Sequence, residues 1–243
     1  MSIFDSFRKG SGGKPSESID SPLRQKLVDL ILGILRDQNG RIRVEDAISA
    51  AATIVAERCI DAAGDFPLRD HELAPGSRVF STKVNELICG DVSDVSVEQV
   101  PTNSIVGVLR GRLDARVYTD EDFPVLSQVF KQYAARVGNP ADWGKVPLSV
   151  DKDHFPFIPP LRVGYETRVR VDEILSPIRE DKTRCLRVAT ESLAEILKMV
   201  ASAIDHKLAL VLAIETLNGM SKTAPMTVKA MQQAPPDNTQ KPK

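Results

Sequence analysis

From Ile178 to Asn218 the chain runs for 41 residues without a proline or a glycine. A tract of that length with no breaker is helix-forming, and Ser176-Pro177 before it and Gly219 after it supply the usual start and stop signals. In heptad register one seam position holds Leu186, Leu193, Val200, Lys207 and Ile214, and the other holds Ala189, Ile196, Ala203, Leu210 and Leu217. Unbroken, at ~1.5 Å per residue, such a helix would span about 60 Å, more than the diameter of a small domain. Leu197, Ile204 and Val211 widen the seam into a three-position face, and Leu208 and Leu212 lie off even that face. So broad an apolar surface fits a helix at the centre of a core better than a free two-stranded coiled coil. Its C-terminal third is therefore expected to be covered on all sides, by the chain's own earlier helices or by a second chain. Asp205-His206-Lys207 interrupts the pattern and reads as a kink, or as a place where the helix leaves the core.

Upstream, Ser21-Pro22 opens a helix carrying Leu23, Leu27, Leu30, Ile31, Ile34 and Leu35 on one face, to about Asp37. Asn39-Gly40 turns the chain into a second helix with Ala47, Ile48, Ala51, Ile54, Val55, Cys59 and Ala62 on one side and Gly64 as its stop. The pair reads as an antiparallel helical hairpin. Ser77 is expected to cap a short helix ending at Gly90, and Thr102 or Asn103 to cap one running to Val117. Gly107 and Gly111 weaken the latter by about 1 kcal/mol each relative to Ala. Thr119, followed by Asp120, Glu121 and Asp122, predicts a fifth helix stopping at Gly138.

The segment 139–160 carries five prolines together with Trp143, Phe155 and Phe157, and is expected to be a Pro-rich arm packed across the helices in preference to a free polyproline ligand. Residues 161–171 alternate, with Leu161, Val163, Tyr165, Thr167, Val169 and Val171 on one side and arginines on the other. An extended segment is expected there, although Val163, Thr167, Val171 and Ile174 also fit a helix face. Residues 1–20 are Ser-, Gly- and Lys-rich and are expected to be a flexible start. Within them Ile3, Phe4 and Phe7 lie at helical spacing beside Arg8 and Lys9, the pattern of a short anchor for a membrane surface or a partner groove. Residues 221–243 read as a loose tail, which leaves 21–220 as one helical domain.

Composition narrows the functional classes. Thirty-two basic residues against 33 acidic ones argue against nucleic-acid binding, whose affinity comes largely from neutralising phosphates. Arg110, Arg112, Arg116, Arg162, Arg168 and Arg170 interleave with Asp114, Glu166 and Asp172, as on a solvated, ion-paired surface. The odd set of Cys59, Cys89 and Cys185, with no Cys-x-x-Cys spacing, reads as reduced thiols in a cytoplasmic protein. No apolar run approaches the roughly 20 residues a spanning helix needs.

Two constellations invite chemistry. Asp37 to Asp46 resembles part of a calcium loop of the EF-hand type with Gly40 at the sixth position. Leu35, however, stands where the first carboxylate belongs, so a plain hairpin turn is expected and no metal or cofactor is assigned. The three histidines, His71, His154 and His206, each follow an aspartate, but their spacing matches no metal set or catalytic triad.

Taken together these features predict a mainly α fold, a multi-helix array around a long C-terminal helix with at most a small β element. The expected function is a non-enzymatic interaction or scaffold protein acting on a protein partner, or on a second copy, through apolar surface. Trp143, Phe155, Phe157, Leu208 and Leu212 are the candidate contact residues. An enzyme whose site assembles only in three dimensions, from dispersed Asp and His residues, is the alternative, with His71, His154 and His206 as its candidates. Peripheral nucleic-acid binding through an arginine face ranks third.

Overall fold

The computed structural model describes residues 20–65, 67–68, 71–90, 96–135 and 146–227. Eight α-helices stand among them: α1 (Asp20–Leu35), α2 (Val44–Ala63), α3 (Thr82–Cys89), α4 (Ile105–Arg112), α5 (Leu126–Ala134), α6 (Pro160–Leu175), α7 (Lys182–Val200) and α8 (His206–Met220). No strand occurs among the described residues, and the one β-type pairing is an isolated antiparallel bridge between Arg78 and Thr223.

The centre of the array is α2. Sixteen of its 20 residues are buried, so burial extends around the cylinder, beyond the single apolar side expected, and takes in the polar Asp46, Ser49, Thr53, Glu57 and Arg58. The reason is side-chain size: Ala47, Ala50, Ala51, Ala52 and Ala56 let neighbouring helices approach closely, and α7, α8, α6, α1 and α3 all pack on it. The hairpin from α1 to α2 turns as expected. Asp37 accepts hydrogen bonds from the backbone N–H of Asn39 and of Arg41, both at 2.8 Å, and Gly40 sits at φ 75°. The Asp37 carboxylate is thus an internal turn acceptor.

The 41-residue tract is not one helix. It forms α7 and α8, separated at 201–205, and the break ends on Asp205, the first residue of the polar triplet. Asp205 is the N-cap of α8, its carboxylate accepting from Leu208 N–H at 2.9 Å. On the other side of the break, the Tyr118 hydroxyl donates to the Leu197 carbonyl at 2.6 Å, satisfying an acceptor in the last turn of α7. His206 Nε2 lies 3.0 Å from the Ala201 carbonyl, and its ring packs 4.9 Å from that of Tyr118. A capping aspartate and a remote tyrosine together end one helix and start the next. Lys207, on the expected seam, faces solvent.

Residues 161–171, expected to be extended, are helical within α6. Pro160 occupies the first position of the helix, where its missing N–H costs nothing. Val163, Thr167 and Val171 are buried while Val169 is exposed, so the spacing of four prevailed over the alternation. Gly164 is the contact point with α2: a Cβ there would lie 2.5 Å from Glu57 Oε1. Arg168, expected on a surface, points inward onto Glu57 at 2.6 Å.

Three further boundaries differ from expectation. Ser81 caps α3, Ser104 caps α4, and the acidic triplet after Thr119 closes a capping box on a short 3-10 turn that Phe123-Pro124 separates from α5. Residues 221–227, expected to be part of a loose tail, form a strap buried in the fold for most of its length. Gly76 N–H donates to the Ala224 carbonyl, Ala224 N–H to Ser77, and Val79 N–H to Lys222, at 2.8–2.9 Å.

The two glycines of α4 behave oppositely. A Cβ on Gly107 would lie 2.1 Å from the Pro101 carbonyl oxygen, whereas one on Gly111 meets nothing within 4 Å. Gly107→Ala is expected to destabilise by about 2 kcal/mol, because the backbone at 101–102 must move. Gly111→Ala is expected to stabilise by about 1 kcal/mol. Urea unfolding midpoints check both, and two shifts of the same sign would contradict the packing described.

Candidate cleft between the third, fourth and seventh helices

One cavity of about 680 Å³ opens between the end of α2, α3, the start of α4 and the first half of α7. That volume is within the range of natural ligand sites. Each wall follows from local sequence. On α7, Thr183, Leu186, Arg187 and Thr190 recur at i, i+3, i+4 and i+7 and so form one stripe. On α3, Lys83, Glu86 and Leu87 do the same at i, i+3 and i+4. The α4 wall is set by its cap: Ser104 Oγ accepts from Gly107 N–H at 3.1 Å and donates to the Pro101 carbonyl at 2.7 Å. This leaves Ile105 and Val108 facing the cleft beside Thr102 and Asn103.

The apolar lining is made of Ala62, Ala63, Leu87, Ile105, Val108 and Leu186, and the polar lining is mostly neutral, with two cations, Lys83 and Arg187. Lys83 reaches across the end of α2, with its ammonium 3.4 Å from the Ala63 carbonyl and 3.9 Å from Asp65. Arg187 lies 3.3 Å from Glu191, a buried carboxylate that also holds Arg24 at 3.2 Å and bonds Arg112. Glu195, 3.9 Å from Arg24, is a second acid there, so three arginines share two carboxylates and guanidinium donors remain at that edge. The start of α4 adds the positive end of a helix dipole, and Glu86 is the one acid on the lining. An occupant with apolar side chains and an acidic group complements this surface.

The histidines do not converge on the cleft. His71 lies half-buried in the segment between α2 and α3. His154 Nδ1 is 2.9 Å from Glu45, in the first turn of α2, and His206 bridges the break after α7. Burial pushes the Glu45 carboxyl up, but the His154 contact, a backbone hydrogen bond and Arg43 outweigh it and hold the group below its usual range. Among the described residues no three His, Cys, Asp or Glu side chains gather into a metal-binding group.

Of the candidate contact residues, Trp143 lies outside the described residues. Leu212 is fully buried by the chain's own helices and Leu208 is half-buried. Phe155 and Phe157 stand on the arm, which is pinned across α8 and the start of α2. Ser149 bonds Glu215 at 2.6 Å, Phe157 N–H donates to Asp46 at 2.7 Å, and Arg43 bonds the Phe155 and Asp153 carbonyls. Phe157 is 78% exposed, but its ring is covered on one face by the Arg43 guanidinium at 3.8 Å. The arginine face is largely ion-paired: Arg110 with Asp120 at 2.6 Å, Arg116 with Asp114 at 2.9 Å and Arg162 with Glu166 at 2.6 Å.

Sequence reasoning missed the cleft because its walls come from four separate elements. The visible signals were the stripes of α3 and α7, which place Lys83 and Arg187 beside apolar residues. Among the described residues no helix is long and apolar enough to cross a membrane. No protein-family model, curated protein or solved structure matches this chain.

Proposed function

We propose that the chain is a non-enzymatic binding protein whose working surface is the cleft between α3, α4 and α7, and that its occupant is an apolar segment of a protein partner carrying at least one acidic residue. The observation that carries this reading is the pairing of an apolar floor with a rim containing Lys83 and Arg187 in one concavity of about 680 Å³. Apolar side chains entering it gain about 25 cal/mol per Å² buried, and the rim selects among them by charge. His154 and His206 are engaged in holding the arm and the helix break, which favours binding over the alternative of catalysis by dispersed Asp and His residues.

Selection of peptides from a displayed library on the immobilised full chain tests the reading. Selected peptides are expected to be apolar with an acidic residue, and to lose at least 10-fold in affinity against Val108→Arg, which fills the cleft from a half-buried position. Lys83→Glu is expected to weaken them about 3-fold to 10-fold, with a shallower salt dependence. Peptides that bind Val108→Arg as well as the wild type would sink the proposal.

A further inference from the structure

The make-up of the cleft walls constrains the backbone of whatever enters. Every apolar residue of the lining stands on a helix: Ala62 and Ala63 on α2, Leu87 on α3, Ile105 and Val108 on α4, and Leu186 on α7. Within a helix the N–H and C=O groups bond one another, and no strand occurs among the described residues to offer an edge to an extended peptide. An extended segment laid on this lining would leave buried backbone groups without partners, whereas a helix satisfies its own. A polyproline segment docks on aromatic side chains, and none of the lining residues is aromatic. Ala62, Leu87 and Val108 are only half-buried, so the apolar surface is open from outside. The walls also set a length and a charge order. Thr183 and Thr190 mark the α7 stripe over about two turns, about 10 Å. Lys83 and Glu86 stand about one turn apart on α3, a base and then an acid, while α7 offers Arg187.

We propose that the partner's segment enters as an amphipathic helix of about two to three turns lying between α3 and α7. Its apolar stripe rests on Leu87, Val108 and Leu186, an acid and a base one turn apart face Lys83 and Glu86, and a second acid faces Arg187. This rests on the reading of the cleft as the partner site, and adds the partner's secondary structure, its charge order and its direction in the groove. Turned end for end, the helix would carry its base from the α3 wall to the α7 wall, where the lining offers it Arg187 and no acid.

Two displayed libraries of peptides about 15 residues long, a length at which free helices are marginal in water, are selected on the immobilised full chain. One carries apolar residues at i, i+3, i+4 and i+7, and the other carries the same residues in strict alternation. Binders that Val108→Arg abolishes are expected from the helical library and not from the alternating one. A proline at the centre of such a peptide is expected to weaken binding at least about 30-fold, and a lactam link between i and i+4 on its outer face to tighten it about 3-fold or more. Glu86→Lys, at a half-buried position on α3, is expected to weaken binding about 3-fold to 5-fold, with recovery when the peptide's base is replaced by glutamate. That recovery shows a folded variant, independently of what Val108→Arg does to the core. Cleft binders drawn only from the alternating library, or binders that tolerate the central proline, would overturn the helical mode and leave the cleft as a partner site. Self-association of the full chain that Val108→Arg abolishes would overturn the outside partner in favour of a second copy. Binders that ignore Val108→Arg and Glu86→Lys alike would overturn the cleft reading itself, and the helical mode with it.

Discussion

Lys222→Met is expected to stabilise the protein by about 3 kcal/mol at pH 6, and by progressively less as the pH rises toward 10. Lys222 is the second residue of the buried strap and is only 3% exposed. Its amine bonds Asn218 Oδ1 and sits 4.0 Å from the centre of the Phe130 ring, with no carboxylate ion-paired to it among the described residues. Burial draws it from an ordinary 10.5 down to about 7, against the opposite pull of the neighbouring Cys89 and Cys59. Cys59 is itself pushed up to about 12 by burial, so it supplies no thiolate partner near neutrality. The sign follows from the proton count. Between pH 7 and 10.5 the unfolded chain holds this proton and the folded chain does not, so stability falls as pH drops through that window, at about 1.4 kcal/mol per pH unit. Below pH 7 both states hold it, and the penalty levels off near 5 kcal/mol. Methionine removes that penalty but strands the Asn218 amide oxygen, which returns about 1–3 kcal/mol. Urea unfolding of both proteins from pH 6 to 10 measures the difference. A pH-independent loss of stability in the variant would mean that the ring of Phe130 holds Lys222 as a full cation.

Arg168→Met is expected to act in the opposite direction, costing about 3–5 kcal/mol. The Arg168 guanidinium meets Glu57 through Nη2 at 2.6 Å and Nε at 3.2 Å, and donates through Nη1 to the Met226 carbonyl at 2.7 Å. It ties α6 to the central helix and to the strap at once. With it gone, Glu57, 4% exposed, keeps among the described residues only Arg58, whose Nη2 stands 4.0 Å away, beyond hydrogen-bond distance, while its Nη1 holds Asp172 at 2.7 Å. The penalty is that of an uncompensated buried charge, so removing the charge restores the balance. Glu57→Leu/Arg168→Met is expected to recover most of the loss, since an apolar pair of similar volume often matches a buried ion pair. A single-variant loss below about 1 kcal/mol, or a double variant as weak as the single, would contradict this account.

These two residues also mark where the sequence stopped being readable. The helical content of 182–200 and 206–220 was plain from periodicity, because apolar spacing is a local property. The break between them depended on Tyr118, some 80 residues upstream, and only Asp205 hinted at it. Val163, Thr167 and Val171 carried the helical answer for α6, but alternation fitted the same residues, and the absence of a partner strand was the missing tie-breaker. Ser221-Lys222-Thr223 looks like tail because polar residues after a helix stop usually face water. Its burial is set by the backbone of 76–79, which no local pattern announces. The cleft was hidden for the same reason. Its acid and bases are ordinary surface residues until four elements bring them around one apolar floor.

The central place of α2 has a consequence for how the chain comes into being. Its principal covers, α7 and α8, lie at the far end of the sequence, so Lys182 is synthesised roughly 120 residues after Ala63. At about 5–20 residues per second the alanine-rich cylinder waits on the order of 6 to 24 seconds for its cover. Throughout that interval the emerging chain carries an alanine-rich helix whose faces lack their final cover, and it is then most open to capture by chaperones or by other unfinished chains. Folding of this array is a closing event, completed only when the last third of the chain wraps what the first third exposed.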